Sequence, residues 1–387
     1  MPDFALGSPF VASAAIAAVT ALLVALGIAL TTRWHLAMSG DTDVGVQKVH
    51  VQPTPRIGGV ATISALLVAL AAFAGPGSGG SVASLLVVLA LSAAPVAVAG
   101  VVEDVTGAVP PSRRLAAAMV SGAVFAVIFS GGHALVDVQW IAPPQAWSVL
   151  AGIALVTVGV AGIANAVNII DGFHGLAAGY VIATATAIAA IAGRQGDPVL
   201  ALAALAVSGA HFGFLLVNFP FGRLFLGDGG AYAAGAVLAM LCVMLTVRNP
   251  DVSPFVCVLL VLYPALETAV SILRKLRRAG HAPHMPDGVH FHMLLGKRVA
   301  RPLARRLGRP GWYNPLTGAL IWPLVGATSV LAVAANGSGQ FAGGAMAVFT
   351  LIYLRLYAVM GLRTPSVVSL MRRLRQGSEG KARRSDT

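Results

Sequence analysis

About eleven apolar runs, each close to twenty residues long, divide this chain of 387 residues. A helix needs about 20 apolar residues to cross a hydrocarbon core, and lipid offers no hydrogen-bond partner to open backbone. The runs lack two-residue alternation, which favours helices over strands. The sequence predicts an all-α, polytopic integral membrane protein with about 11 transmembrane helices, near 10–31, 57–75, 82–102, 115–132, 146–164, 175–193, 198–217, 230–247, 253–273, 316–335 and 341–360.

The composition excludes a soluble or disordered chain. Hydrophobic residues make up 57% of the sequence and charged residues only 10%, against about 25% charged residues in an average soluble protein. Cys242 and Cys257 both lie in apolar runs, so we expect no disulfide framework. The net charge of +12 would suit nucleic acid, but the cations are distributed as in a membrane protein, and we expect no nucleic-acid partner.

The positions of the cations predict the topology. A cleavable signal carries positive charge before its apolar stretch, whereas here the first cation, Arg33, follows the first run. We therefore expect a retained helix with its N-terminus outside and a cytoplasmic C-terminus. The segments then assigned to the cytoplasm hold 23 of the 26 Lys and Arg residues, as the positive-inside rule requires. The prediction is one transmembrane domain over 1–363 and a basic cytoplasmic tail over 364–387, with cytoplasmic loops at 32–56, 103–114, 165–174, 218–229 and 274–315.

Five polar segments interrupt the apolar pattern, and the predicted topology places all of them on the cytoplasmic side. They are QKVHVQPTPRIGG (47–59), VVEDVTG (101–107), NAVNIIDGFHGLAAG (165–179), GRLFLGDGGAYAAG (222–235) and PDGVHFHMLLGKR (286–298). Helix ends that meet at one face would form a shared, water-accessible site.

Carboxylates and amides in these segments suit a divalent cation. Glu103 and Asp104 are adjacent at the end of the third run, where such a pair binds a cation, accepts a proton or ends a solvated helix. Asn168, Asp171 and His174 are spaced three apart, so a helix would place them on one face. Oxygen ligands of this kind suit Mg²⁺, and a capped helix junction is the structural alternative.

Other side chains in these segments suit an anionic ligand. Asp228 lies between glycines just before the eighth run, where it caps the helix, binds metal or does both. Phe225 is either a stacking platform or an interfacial aromatic. His290 and His292 lack further zinc ligands nearby, and contact with phosphate beside the neighbouring cations is the simpler interpretation.

The first polar segment is a stiff, basic loop that contains Lys48, His50 and Arg56. It suits either an anionic substrate or a contact with the inner leaflet. Taken together, the five segments supply carboxylates for a divalent ion and cations for phosphates, and phosphoryl transfer is the reaction class that uses both.

The chain resembles the polyprenyl-phosphate N-acetylhexosamine-1-phosphate transferases, which include undecaprenyl-phosphate GlcNAc-1-phosphate transferase and phospho-MurNAc-pentapeptide translocase. The ordered motifs cover most of the chain, from residue 47 to residue 298. They are KVHVQPTPRIGG, the acidic pair of VVEDVTG, NAVNIIDGFHG, FLGDGG, Glu267-Thr268 before Arg274, and PDGVHFH.

The resemblance implies an enzyme of the bacterial inner membrane whose active site faces the cytoplasm. Undecaprenyl phosphate attacks the sugar-proximal phosphorus of a UDP-sugar, an N-acetylhexosamine donor. UMP is released, and the product starts a lipid-linked cell-envelope glycan such as O-antigen. Mg²⁺, or Mn²⁺ in its place, is the implied cofactor, membrane lipids are further partners, and the implied assembly is a homodimer.

The resemblance also implies roles for the motif residues. Asp228 binds the metal together with Asn168 and belongs to the catalytic group. Asp104, with Glu103, deprotonates or positions the lipid phosphate. Phe225 stacks on uracil, and the histidines of the last motif contact the diphosphate or the sugar. The substrate-binding residues are Lys48, His50, Arg56, Asp171, His174, Phe225, His290 and His292.

Three positions depart from the family pattern. Glu103 replaces the first Asp of a common Asp-Asp pair, His174 replaces a carboxylate of DGxDG, and Met293 replaces the last histidine of HxHH. The departures leave the UDP-sugar open and keep a catalytically inactive family member as an alternative. A membrane transporter or flippase is the other alternative, although transporters usually place ionisable groups near the bilayer midplane.

Overall fold

The computed structural model describes residues 9–39, 54–74, 80–130, 145–276 and 289–362. Lys48, His50 and the predicted tail over 364–387 lie outside these ranges. The described helices, in chain order, are α1 (Pro9–Leu30), α2 (Thr32–Ser39), α3 (Gly58–Phe73), α4 (Gly80–Thr106), α5 (Pro111–Ser130), α6 (Gln145–Ile170), α7 (Leu176–Arg194), α8 (Pro198–Asn218), α9 (Gly227–Arg248), α10 (Pro254–Leu260), α11 (Leu262–Leu276), α12 (Phe291–Leu295), α13 (Arg301–Arg306), α14 (Tyr313–Ala335) and α15 (Gly339–Leu362), with a π-helical turn at Gly296–Ala300 and a 3₁₀ turn at Pro310–Trp312.

Nine helices of the described ranges are long and apolar enough to cross a membrane, namely α1, α4 to α9, α14 and α15. Helices α10 and α11 make a tenth span if the bent pair is counted as one, and α3, with 16 residues, is shorter than a full span. Each of the eleven predicted runs coincides with one of these helices or with the bent pair. The prediction of an all-α, polytopic membrane protein is therefore confirmed, and the side on which each terminus lies stays a prediction.

Helix α9 lies at the centre of the bundle. In the most apolar stretch of α9, 83% of the residues are buried, against 11% in the corresponding stretch of α15. Glycines let the neighbouring helices approach it backbone to backbone, as small residues do in membrane bundles. A Cβ atom on Gly59 of α3 would lie 2.3 Å from the Gly230 nitrogen, and one on Gly100 of α4 would lie 2.5 Å from the Gly229 nitrogen. Helices α3 and α4 are thus fixed against the first turn of α9.

The predicted run over 253–273 is divided into two helices that meet at 72°. Pro264 explains the bend, because it has no N–H to donate to the Leu260 carbonyl and its ring crowds that carbonyl. The Tyr180 hydroxyl donates a hydrogen bond to this carbonyl instead, at 3.4 Å. Beyond the bend, α11 carries Glu267 and Arg274 to the segment that begins α12.

The far end of the bundle is held by an ion pair. Asp197 caps α8 by accepting the Leu200 N–H at 3.1 Å. The guanidinium of Arg248, in the last turn of α9, donates from Nε and Nη2 to the two oxygens of the same carboxylate, each at 2.7 Å. The polar segments meet at the opposite end, where α9 begins.

Candidate active site

Asp104 holds the first turn of α9. Its Oδ1 and Oδ2 accept the backbone N–H groups of Asp228 and Gly229, each at 2.8 Å, and its side chain is only 1% exposed. The interpretation of Asp104 as part of a solvated helix end is therefore wrong, because its carboxylate is buried and hydrogen-bonded to two N-terminal amides of α9. The interpretation of Asp228 as the cap is wrong for the same reason, since a carboxylate of another helix caps α9.

Three other chain segments meet at the Asp228 carboxylate. Asn168, near the end of α6, donates from Nδ2 to Oδ1 at 3.0 Å. Arg56, in the loop before α3, lies with Nη2 3.5 Å from the same oxygen. Arg114, in the first turn of α5, contacts Oδ2 directly and lies over the ring of Tyr232. One buried carboxylate is thus flanked by two guanidinium groups and an amide.

A short stretch of paired backbone positions Arg56. The Phe225 N–H donates to the Pro55 carbonyl at 2.9 Å, and the Gly58 N–H donates back to the Phe225 carbonyl at 2.8 Å. Gly227 then turns into α9 with φ +73°, and a Cβ atom there would lie 1.8 Å from the Arg56 carbonyl oxygen. Only glycine fits this left-handed, crowded position.

The donor set at Asp228 fits the Mg²⁺ that the resemblance implies. The Asp228 carboxylate offers hard oxygen ligands, and Asn168, whose amide nitrogen donates to it, also carries an amide oxygen. Mg²⁺ usually takes one or two protein carboxylates and completes its shell with water and substrate phosphates. Over the described residues, no group of three or more His, Cys, Asp or Glu side chains is arranged to hold a metal. The arrangement suits an ion shared with a phosphate ligand and not a dedicated protein cage.

The turn after α6 carries a second group of predicted residues. Helix α6 ends at Ile170, so Asp171 and His174 do not share a helical face with Asn168, and the helical interpretation fails here. Gly175, the residue before α7, has a φ of +74°, a conformation that favours glycine. Burial raises the pKa of Asp171 to about 7, with the Arg56 guanidinium acting in the opposite direction.

His174 joins this turn to the loop before α9. Its Nδ1 lies 2.9 Å from the Pro220 carbonyl oxygen, and its ring lies 5.8 Å from the Phe225 ring at a tilt of 31°. Burial lowers the pKa of His174, which keeps the imidazole neutral at pH 7. Asn218 supports the same contact by accepting the Gly175 N–H and donating to the Leu224 carbonyl, both at 2.7 Å.

The histidines of the last motif form a third group. The rings of His290 and His292 stack at 5.3 Å and 12°, and both Nδ1 atoms face the Glu267 carboxylate, at 3.6 and 3.1 Å. The edge of His292 also meets the Phe173 ring at 5.8 Å. The third group is therefore continuous with the turn that contains Asp171.

The structure brings most of the predicted residues to one end of the bundle. Arg56, Asp104, Asn168 and Asp228 are in direct contact, and the remaining described candidates line the adjoining turns. Glu103 adjoins them with its Oε2 accepting the Val109 N–H at 2.6 Å. Their chemical roles stay predictions.

Three residues that belong to this arrangement were not among the predicted site residues: Arg114, Asn218 and Glu267. Arg114 begins an apolar run, where an arginine resembles an ordinary inner-leaflet anchor. Asn218 ends a run with no motif-like neighbour. Glu267 lies in one of the matching motifs, but nothing in the sequence assigns it a partner.

The chain is similar to known transferases. The family model described as glycosyl transferase family 4 matches residues 85–246. Decaprenyl-phosphate N-acetylglucosaminephosphotransferase of Mycolicibacterium smegmatis is 32% identical over 277 residues, 63% of this chain and 65% of that protein. The protein of the same name from Mycobacterium leprae is 31% identical over 275 residues, 63% of this chain and 67% of that protein.

The chain is also similar to a second kind of transferase. Phospho-N-acetylmuramoyl-pentapeptide-transferase of Moorella thermoacetica is 34% identical over 177 residues, 45% of this chain and 50% of that protein. The chain thus spans about two thirds of the length of the mycobacterial relatives and half of this one. The region of similarity to the family model contains Asp104, Asn168 and Asp228.

Proposed function

The chain belongs to glycosyl transferase family 4, and on this basis we propose that it transfers a sugar-1-phosphate from a UDP-sugar to a polyprenyl phosphate, with release of UMP. An oxygen of the lipid phosphate forms a bond to the sugar-proximal phosphorus, and the bond from that phosphorus to the UMP oxygen breaks. We propose N-acetylhexosamine-1-phosphate as the transferred group and undecaprenyl phosphate as the acceptor.

The Asp228 carboxylate carries this proposal. It lies between the guanidinium groups of Arg56 and Arg114 and accepts a hydrogen bond from Asn168. Cations that suit a diphosphate and oxygen atoms that suit a metal therefore lie next to each other. Phosphoryl transfer needs positioning and neutralisation of charge more than covalent chemistry by the protein. This combination suits a magnesium diphosphate better than a neutral or purely cationic ligand.

Asp228 and Asn168 would hold Mg²⁺, which when bound neutralises charge on the diphosphate and polarises its phosphorus. Arg56 and Arg114 add fixed positive charge beside it. The second pKa of a phosphate monoester is about 6, so the acceptor phosphate is largely ionised at pH 7 and needs no side chain to deprotonate it. This agrees with an Asp104 whose two oxygens both accept backbone hydrogen bonds.

The adjoining groups would hold the rest of the donor. Phe225, supported by the neutral ring of His174, offers a stacking surface for uracil. Asp171 lies beside them for contact with the nucleoside. His290 and His292 would contact the diphosphate or the sugar from the other side.

The cellular setting belongs to the same proposal. We place the protein in the bacterial inner membrane with this end of the bundle facing the cytoplasm, because the predicted cytoplasmic segments hold nearly all of the cations. UDP-sugars are cytoplasmic, and the product would start a lipid-linked glycan of the cell envelope, of which O-antigen is one kind. The proposal also includes binding of substrate by Lys48 and His50, assembly as a homodimer, and Mn²⁺ as a substitute for Mg²⁺.

The test is UMP release by the purified protein in detergent with undecaprenyl phosphate and a panel of UDP-N-acetylhexosamines, with and without Mg²⁺. Asp228→Asn keeps the shape of the side chain and removes the negative charge that would hold Mg²⁺, so we expect a loss of about 100-fold or more, the cost of removing one group on which stabilisation of the transition state depends. Asp251→Asn is the matched control, because Asp251 is exposed beyond the other end of α9, about 30 Å away.

The outcomes separate the candidate functions. Wild-type release of UMP that depends on Mg²⁺ and is lost only in Asp228→Asn supports the proposal. Undiminished turnover in Asp228→Asn contradicts the assignment of Asp228. Substrate movement across sealed vesicles without UMP would support the transporter alternative instead.

A further inference from the structure

Glu267 is a buried carboxylate surrounded by hydrogen-bond donors. It lies on α11 with 1% of its surface exposed. Its Oε2 accepts the Phe291 N–H at 3.0 Å, and its Oε1 accepts the His292 N–H and the Tyr263 hydroxyl, both at 3.1 Å. Donors on both oxygens favour the ionised carboxylate, which is acceptor-only, over the protonated form, which would turn an O–H towards one of these donors. Glu267 therefore caps the start of α12 with a full charge.

The same carboxylate determines which nitrogen of His292 carries a proton. Nδ1 of His292 lies 3.1 Å from Oε1 of Glu267, and an acceptor-only partner requires a donor at that position. Nδ1 is thus protonated, and Nε2 is the nitrogen on the side of the ring away from Glu267. A Cβ atom on Gly172 would lie 3.7 Å from Nε2, so this nitrogen points at the turn that contains Asp171.

Helix α11 holds the histidine segment from a second position. Two turns after Glu267, Nη1 of Arg274 donates to the Val289 carbonyl at 3.0 Å, and the Tyr357 hydroxyl donates to the same carbonyl at 3.0 Å. One helix therefore binds both the N–H groups and a carbonyl group of the segment that carries His290 and His292. The direction of both imidazoles depends on α11.

We infer that Glu267 is a positioning residue, which fixes the Nδ1–H form and the direction of His292 so that its Nε2 meets the diphosphate or the sugar of the donor. The inference rests on the proposed function, because it takes the donor to lie between this histidine and Asp171. A carboxylate that orients an imidazole through Nδ1 is a general device for setting the reactivity of Nε2. Glu267 would therefore act on substrate binding indirectly, by orienting His292, and would not itself contact the substrate.

A double-mutant cycle separates this role from a general contribution to stability. Glu267→Gln replaces one acceptor oxygen with an NH₂ group, and we expect kcat/KM for the UDP-sugar to fall about 10- to 100-fold, the range for a hydrogen bond to a charged group. His292→Ala should cost at least as much. The double variant should lie within about threefold of His292→Ala alone, because residues that act as a unit are not additive. Asp251→Asn again controls for the loss of one negative charge.

Losses that multiply in the double variant would contradict the inference, since Glu267 would then act without His292. The cycle is read together with the thermal unfolding of each variant, and Glu267→Asp, which keeps the charge, replaces Glu267→Gln if the latter does not fold. Partial recovery of kcat/KM in Glu267→Asp supports positioning by the charge.

A spectroscopic measurement keeps the inference testable even if the wild type releases no UMP, a result that would overturn the proposed function alone. In NMR spectra of the protein labelled with ¹⁵N-histidine, the signal of His292 is identified as the one that disappears in His292→Ala. We expect a protonated Nδ1 in the wild type at pH 7 to 8 and a changed Nδ1 signal in Glu267→Gln. An unprotonated Nδ1 in the wild type would refute the role of Glu267.

Discussion

The contact between Gly100 of α4 and the first turn of α9 makes the candidate site sensitive to a single methyl group. A Cβ atom on Gly100 would lie 2.5 Å from the Cα and N atoms of Gly229 and 2.6 Å from the carbonyl carbon of Asp228. These are backbone atoms, which cannot rotate away. Ordinary carbon contacts need about 3.5 Å, so Gly100→Ala should separate the two helices by about 1 Å.

The magnitude follows from the bonds that cross this contact. Asp104 lies one turn after Gly100, and its two hydrogen bonds to α9 are each 2.8 Å long. A shift of about 1 Å takes both beyond bonding distance, and bonds to a charged group contribute about 1.5–3 kcal/mol each. We expect the free energy of unfolding to fall by about 3 kcal/mol. Misplacement of a reacting group by about 1 Å costs on the order of 100-fold in rate, so kcat for UMP release should fall by that factor.

The assay compares Gly100→Ala with Gly162→Ala in thermal unfolding and in UMP release at saturating substrates. Gly162 lies on α6, where an added Cβ atom meets nothing within 4 Å. This control should keep wild-type activity and gain about 0.5–1 kcal/mol in stability, as alanine does over glycine in a helix. If Gly100→Ala unfolds and turns over like the control, the backbone contact does not position Asp228 and the reasoning is wrong.

Two further substitutions separate the site from the scaffold. Arg114→Gln removes a charged contact to Asp228, so we expect kcat/KM to fall about 10- to 100-fold. Arg113 lies on the exposed side of the same turn, and kcat/KM of Arg113→Gln should stay within about twofold of the wild type. Equal effects of the two substitutions in steady-state kinetics would count against a specific role of Arg114. Asp197→Asn weakens the paired hydrogen bonds from Arg248 at the far end of the bundle, so the unfolding temperature should fall while kcat/KM stays unchanged, and a proportional loss of both would show that the two ends are coupled.

The meeting of Arg56, Asn168 and Asp228 could be predicted from the sequence. The ends of successive membrane spans lie on alternate sides, so the order of the apolar runs determines which ends lie together, and the bias of the cations predicts which side is cytoplasmic. Motif-like polar residues at several such ends then have to share one face. This prediction uses only the order of the spans and needs no knowledge of contacts between side chains, so the sequence is sufficient for it.

The contacts themselves could not be predicted, because they depend on how helices pack. Arg114 reaches Asp228 only because α5 lies against α4 near the start of α9, and its sequence context is that of a membrane-surface arginine. The bend at Pro264 had a visible cause, but apolarity alone does not report that a run is broken. The spacing of three between Asn168, Asp171 and His174 did not show that α6 ends at Ile170.

The acidic residues show most clearly what sequence leaves open. Asp104 and Glu267 each use both oxygens on the N–H groups of another helix, so their charge fixes the backbone that carries Asp228 and His292. Asp228 accepts no backbone N–H among the described contacts and faces two guanidinium groups and an amide. A carboxylate whose oxygens both accept backbone N–H groups is poorly placed to bind metal or accept a proton, whereas one that contacts only side chains can exchange those contacts for a ligand. The division of work among these acids therefore follows from their hydrogen-bond partners, and it makes Asp228 the acid whose neutralisation should cost activity before stability.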